Sequence, residues 1–225
     1  LRQSRLSPAM DTLCPRNLGT AIFVEMFGNP ITNSRALATQ KLGDLGTLDR
    51  GRSQHRPRND PALLGGPYPL IQTGEVARSL DFIRSYSATY SEFGLSQSKM
   101  WRKGTLCITI AANIADTAIL DFDACFPDSV VGFDGGAAHV NFFVHCWLKL
   151  TRGELERIAP AVAQKNINLA ILRDLDIIIP KETDIKAFYS RMQGILDQRG
   201  RLEGSAKVLE QTFSSLQHRA FGGEL

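Results

Sequence analysis

The sequence predicts an α+β fold: a mixed domain of short strands and helices, followed by a long C-terminal coiled-coil helix. Two observations carry this. Between Lys41 and Pro180, short apolar runs are broken by dense Gly and Pro punctuation, the pattern of strands separated by turns. From Ile185 onward, apolar positions recur at alternating short spacings without interruption, the signature of a helix with a narrow apolar seam.

The seam comprises Ile185, Phe188, Met192, Ile195, Arg199, Leu202, Ala206, Leu209, Phe213, Leu216 and Ala220, and all but Arg199 are apolar or Ala. Thr183 or Asp184, just after Pro180, suits the N-cap, and Gly222-Gly223 suits the stop. At ~1.5 Å per residue the helix is expected to be roughly 54 Å long, more than a domain of this size needs. The seam is therefore expected to pack along another helix. Arg199, with Gly194, Gly200 and Gly204 nearby, weakens the middle, and a polar seam residue also sets register.

The N-terminal stretch offers a partner. Leu18, Ala21, Ile22, Glu25 and Met26 form a short amphipathic run closed by Phe27-Gly28-Asn29-Pro30, and Pro15 interrupts anything longer upstream. Ile31–Gln40 reads as a linker. The organisation is thus 1–40, helix and linker; 41–180, the mixed domain; and 181–225, the long helix. Within the domain, strands are expected at Lys41–Leu48, Tyr68–Thr73, Thr105–Ala111, Thr117–Phe122, Val130–Phe133, Asn141–Leu148 and Asp176–Ile179. Helical pieces are expected at Glu154–Ile158 and at Leu169–Leu175, the latter capped by Asn168.

A hydrophobic fraction of 43% with 22% charged residues is globular and excludes wholesale disorder. No apolar run approaches the roughly 20 residues of a bilayer span. The chain opens on Leu1 with no apolar core behind it, and reads as cut from something longer. The four cysteines, Cys14, Cys107, Cys125 and Cys146, lack zinc-like spacing and suit a reducing, cytoplasmic setting. A net charge of +3 is too mild to diagnose a nucleic-acid partner, but its distribution is informative. Arg50–Arg58 carries four arginines and no acid, while Lys99, Arg102 and Lys103 bracket Trp101.

Catalytic classes find little support. The glycine-rich cofactor loop and Asn/Asp-Pro-Pro-aromatic motif of a DNA methyltransferase are missing. Asp174, Asp184 and Lys186 mimic a nuclease pattern, yet Asp184 and Lys186 open the seam helix. Nothing orders His139 or His145 against a nucleophile, and His145-Cys146 reads as core more readily than as metal ligands.

Several segments in order carry a family resemblance. Phe23-Val24-Glu25-Met26-Phe27-Gly28-Asn29-Pro30 resembles the end of the central helix of type I restriction–modification specificity subunits. Lys41-Leu42-Gly43-Asp44-Leu45 with Gly51, and Tyr68-Pro69-Leu70-Ile71-Gln72-Thr73-Gly74-Glu75-Val76, resemble the opening and interior of their target recognition domains. Lys103–Ile114 is similar to their glycine-led strand, Asn166–Leu169 with Leu175–Pro180 to the exit, and Leu216–Leu225 to the C-terminus. Departures are Lys181-Glu182-Thr183 after the exit strand, Asn29 where an acid is common, and Pro15.

The resemblance implies a non-catalytic module that reads one half of a bipartite site in double-stranded DNA. A complete subunit of this kind holds two recognition domains apart on two antiparallel helices. This chain would be either the C-terminal half of one, or a half-length subunit pairing with a second copy as a homodimer. Implied partners are methyltransferase subunits docked on the helices and, through the complex, a restriction subunit. No cofactor is expected in this chain; S-adenosylmethionine would sit in the methyltransferase partner. The expected DNA-facing residues are Arg50, Arg52, Gln54, His55, Arg56, Arg58 and Asn59 on one loop, with Lys99, Arg102 and Lys103 on a second. Tyr90 joins them from the polar–aromatic stretch Tyr86, Ser87, Thr89 and Tyr90. Arg reads guanine, Gln54 or Asn59 reads adenine, and the remaining cations meet phosphate. Trp101 is left open between core and DNA. The rival reading is a coiled-coil adaptor whose domain binds protein, with a merely solvated arginine loop.

Overall fold

The computed structural model describes residues 18–111, 115–158 and 168–221. Helix α1 (Leu18–Phe27) leads to β1 (Thr39–Lys41), the single turn α2 (Leu42–Leu45), β2 (Thr47–Arg50) and β3 (Leu64–Leu70). There follow α3 (Thr73–Arg78), β4 (Phe82–Ile83), β5 (Ala88–Tyr90), α4 (Glu92–Ser96) and β6 (Met100–Trp101). The second half runs β7 (Leu106–Thr109), β8 (Thr117–Leu120), β9 (Ala124–Cys125), β10 (Val130–Asp134) and α5 (Ala138–Ile158). It closes with α6 (Leu169–Arg173), β11 (Asp176–Ile178) and α7 (Glu182–Phe221).

The central sheet is five-stranded, ordered β2-β10-β7-β8-β4, and antiparallel except where β4 runs beside β8. Because successive side chains on a strand point to opposite faces, each strand feeds two cores. Leu106, Ile108, Ile119, Val131 and Phe133 enter the larger core on one face. Cys107, Ala118, Leu120 and Val130 enter a second, with Trp101 and Phe126, on the other. Burial on both faces explains why these strands read as unbroken apolar runs. A four-stranded sheet, β5-β3-β9-β6, covers the second core. Gly132 on β10 sits where a Cβ would strike the Trp101 ring, so glycine there lets the indole lie against the strand.

The expected strand over Asn141–Leu148 is instead the middle of the 21-residue helix α5. All eight of those residues are buried. A segment apolar on every side shows no period, so periodicity cannot separate a buried helix from a buried strand. Asn141 fixes its first turn: the side chain accepts from Gly135 N (2.7 Å) and donates to Gly104 O (2.9 Å). The expected strand over Lys41–Leu48 is also divided, into β1, α2 and β2. Asn168 does cap α6, accepting from Ile171 N at 2.9 Å.

Three helices meet through phenylalanines. Phe23 of α1 stacks on Phe143 of α5 (centroids 5.2 Å apart) and meets Phe188 of α7 edge-on at 5.6 Å. Phe27 touches both at 5.3 and 5.5 Å. The buried stripe of α1 is thus Phe23 and Phe27, with Ile22 and Met26 flanking it. This corrects the expected face: Leu18, Ala21 and Glu25 are exposed, and Glu25 faces Arg191 of α7 at 3.5 Å. Gly28 ends α1 at φ +76°, a left-handed conformation natural to glycine.

The chain enters and leaves the domain through one short ladder. Thr39 lies opposite Ile178 and Lys41 opposite Asp176, and the Lys41 ammonium bridges Asp174 (3.2 Å) and Asp176 (3.1 Å). Asp174 is thereby engaged with Lys41, while Asp184 and Lys186 lie at the start of α7, where Lys186 pairs with Glu182. Cys107, Cys125 and Cys146 are free and buried. Cys14, Pro15, the Asn166-Ile167 part of the exit segment and the Gly222-Gly223 stop lie outside the described residues. Among the described residues no helix is long and apolar enough to cross a membrane.

Candidate nucleic-acid interface

Two segments far apart in sequence form one basic rim. The arginine loop leaves β2 with Gly51 N donating to Val130 O (2.9 Å) and Arg52 N to Phe126 O (3.1 Å). Gln97, 8% exposed, then buckles it: its Oε1 accepts from Gln54 N (2.6 Å) and His55 N (3.0 Å), while its Nε2 donates to Gly94 O (3.0 Å). Ser98 adds a bond from its hydroxyl to Arg52 O at 2.8 Å. The residues before Lys99 thus hold the loop containing Arg50–Arg58.

Within the loop the cations differ in state. Arg56 donates to Ser53 O and His55 O at 2.7 and 2.8 Å. Arg58 binds Asp128 at 2.6 Å, and Arg56 approaches the same carboxylate at 3.8 Å. His55 Nε2 pairs with Asp60 at 2.8 Å. The Asp60 carboxyl is held below its usual range by the Ala62 backbone N–H and then by His55. Arg50 and Arg52 are exposed and make no ion pair among the described residues. Gln54 and Asn59 are exposed beside them.

In the second cluster, Lys99 lies 3.9 Å from the centroid of Trp101, a cation–π placement, and 3.5 Å from Asp49. Trp101 itself is core, stacked on Phe126 at 4.7 Å and 7% exposed. Lys103 turns to Asp121 (2.7 Å), which Arg84 also approaches at 3.7 Å. Arg102 is exposed and has no ion pair among the described residues.

Tyr90 is a correction. It is 2% exposed in a third core cluster with Leu63, Leu70 and Cys125, because β5 pairs with β3 and turns that side chain inward. Its ring is packed into the wall of the cleft that Ser53, Arg58 and Asn59 also line, and it does not stand on the exposed rim. Tyr86 is the exposed aromatic of that stretch, set edge-on to Phe122 at 5.3 Å. Ser87 donates to the buried Glu75 at 2.6 Å. Burial pushes the Glu75 carboxyl up, but bonds from Ser87 and Gln72 N outweigh it and hold the group low.

Beyond its apolar contacts the long helix also meets the domain at Asp81, which is 14% exposed and missed by sequence reasoning. His145 Nε2, Lys149 Nζ and Arg199 Nη2 each lie 3.3 Å from its carboxylate. An ionised carboxylate only accepts, so His145 carries its hydrogen on Nε2, and Nδ1 accepts from the Thr117 hydroxyl at 2.9 Å. Burial alone raises Asp81, but His145 and Lys149 outweigh it and keep the carboxyl well below the usual range. Burial pushes His145 down, so the ring stays neutral. Among the described residues no group of three or more His, Cys, Asp or Glu is placed to hold a metal ion.

The seam of α7 is divided. Ile185, Phe188 and Met192 are buried against α1 and α5 of the same chain, with Leu196 beside the partly buried Ile195. Those positions are committed to their own domain and are not free for a separate partner. Leu202, Leu209, Phe213 and Leu216 are 71, 70, 62 and 46% exposed.

Residues 37–198 match the type I restriction modification DNA specificity domain, a non-catalytic family. No curated protein matches the chain. The fold is similar to the crystal structure of the HsdS subunit from Thermoanaerobacter tengcongensis, with TM-score 0.61 and 16% identity, covering 96% of this chain and 53% of that one. It is also similar to the S subunit of the type I restriction-modification system from M. genitalium, with TM-score 0.59 and 12% identity over 91% of this chain and 54% of that one. A structure described for complex assembly and conformational transition of the type I R-M system gives TM-score 0.56 and 14% identity, over 96% and 55%. The chain spans about half the length of these solved structures. A match over most of its length places the chain in the family of type I restriction modification DNA specificity domains.

Proposed function

We propose that this chain reads one half of a bipartite duplex DNA site for a type I restriction–modification complex. The basic rim carries the reading: one loop buckled by Gln97, presenting Arg50 and Arg52 without protein counter-ions among the described residues. Unpaired arginines at a fixed rim suit phosphates, and the neighbouring Gln54 and Asn59 suit base edges. The exposed half of α7 presents Leu202, Leu209, Phe213 and Leu216. In this reading it takes a helix of a second copy or of the remaining half-subunit, and methyltransferase subunits dock on the helical frame. Those subunits carry S-adenosylmethionine and the chemistry, and a restriction subunit joins through them. The resemblance to a structure described for complex assembly of a type I R-M system supports such partners.

The test is selection of bound duplexes from a randomised pool, with a type I methyltransferase subunit present. Enrichment of one short motif, together with affinity that falls steeply with salt, is expected. A flat pool despite a stable complex with the partner would overturn the DNA-reading function and favour the protein-binding adaptor, which the exposed seam alone accommodates.

A further inference from the structure

A cleft of about 330 Å³ opens beside the arginine loop, and what it takes depends on the DNA-reading function proposed above. The loop contributes Ser53, Arg58 and Asn59 to it, and β3 and β5 contribute Leu64, Leu70 and Ala88. The Ser53 hydroxyl is buried and has no hydrogen-bond partner among the described residues. It is a dehydrated polar group that folding leaves unmatched. Asn59 is exposed, and among the described residues its amide makes no hydrogen bond. Arg58 is held by Asp128 at 2.6 Å, so this side of the cleft is formed before anything binds, and its guanidinium is already engaged.

The chemistry offered at the loop side is the Asn59 amide, donor and acceptor together, next to the apolar surface of Leu64, Leu70 and Ala88, with Gln72, Thr73 and Ser129 on the rest of the wall. In the major groove only an A·T pair shows the complement: N6–H donor and N7 acceptor on adenine, and the protruding methyl on thymine. A G·C pair has no methyl and is best read by a free arginine, which Arg58 is not. We propose that the cleft reads one A·T pair. Asn59 spans adenine N6 and N7, and the surface of Leu64, Leu70 and Ala88 receives the thymine methyl.

The test uses the motif selected by the wild-type chain with a type I methyltransferase subunit. Each thymine in turn is replaced by uracil, which removes only the methyl. At one position binding weakens roughly fourfold, the worth of one buried methyl group. Asn59→Ala loses preference for that same pair by about tenfold or more, while its salt dependence stays that of wild type. Asn59 is exposed, so an unchanged thermal midpoint is expected and shows that the variant folds. Uracil tolerated at every position, with the full motif retained by Asn59→Ala, overturns the cleft assignment and leaves DNA reading intact. A flat pool for the wild type overturns both.

Discussion

Arg199 turns back from the long helix to the carboxylate of Asp81, 118 positions earlier in the chain, at 3.3 Å. It is the one charged residue in an otherwise apolar seam, and it marks where α7 leaves its own domain. N-terminal to it the seam is buried in the core; C-terminal to it Leu202 and its successors face solvent. Asp81 gathers His145, Lys149 and Arg199 from two helices, so one carboxylate ties α5 and α7 together where the buried seam ends.

Removing that carboxylate should be costly. Asp81→Ala removes the carboxylate shared by His145, Lys149 and Arg199 at a mostly buried site, and breaking such a cluster costs about 3 kcal/mol. Urea unfolding of the variant should show a lowered midpoint with an unchanged slope. A loss under about 0.5 kcal/mol, the scale of ordinary surface changes, would rule out the clamp.

The same cluster predicts acid sensitivity. Burial holds His145 below its usual value and its partners hold Asp81 low, so in both cases the unfolded chain takes up a proton before the folded one does. Stability is then fully present above about pH 6.5, begins to fall as the unfolded histidine protonates, and falls further below about pH 4 as unfolded Asp81 does. Thermal midpoints from pH 8 down to pH 4 should decline monotonically. A midpoint that rises between pH 7 and 5.5 contradicts a buried neutral His145.

Gln97→Ala should release the arginine loop. The substitution leaves the part-buried Gln54 N and His55 N without their shared acceptor, at a cost of roughly 1 kcal/mol. Amide exchange at Gln54 and His55 should accelerate while the α5 core stays protected, and DNA affinity should drop although no cation was removed. Unchanged exchange at both amides would show that Gln97 does not hold the loop.

The rim arginines should separate by salt. Arg50→Ala and Arg52→Ala each reduce the slope of log affinity against log salt by about 0.9, as expected for a lost phosphate contact. Arg58→Ala changes it less, because Asp128 already neutralises that cation. Equal effects from all three substitutions would contradict this division.

On the exposed seam, Leu209→Glu and Phe213→Glu should leave the stability of the isolated chain within about 0.5 kcal/mol, since both side chains are mostly exposed. They should abolish whatever association the seam supports, read by analytical ultracentrifugation alone and with a type I methyltransferase subunit added. A large loss of stability without a change in assembly would show that the outer half of α7 packs on its own domain in solution.

Local pattern carried part of this structure and tertiary context decided the rest. The uninterrupted spacing after Ile185 predicts α7, and the Asn168 cap predicts α6, because both signals lie within a few residues. The Asn141–Leu148 segment defeats the same approach, since burial on every side erases its period. Arg50–Arg58 and Lys99–Lys103 are each visible as basic clusters, but nothing local states that Gln97 and Ser98 join them. Tyr90 has the composition of a surface loop and the register of a core strand, and register wins. Asp81 gives no signal, because its three partners lie 64 to 118 positions away.

The ladder between Thr39–Lys41 and Asp176–Ile178 makes the domain a cassette. Its two ends emerge side by side from a frame of α1 and α7, so everything from Leu42 to Leu175 is a single loop thrown out from one socket. What the frame meets on its insert is two adjacent strands, the pair Phe142 and Phe143 against Phe23, Phe27 and Phe188, and the Asp81 carboxylate against Arg199. A different insert, built on the same two ends and the same contacts, would plug into the same helices.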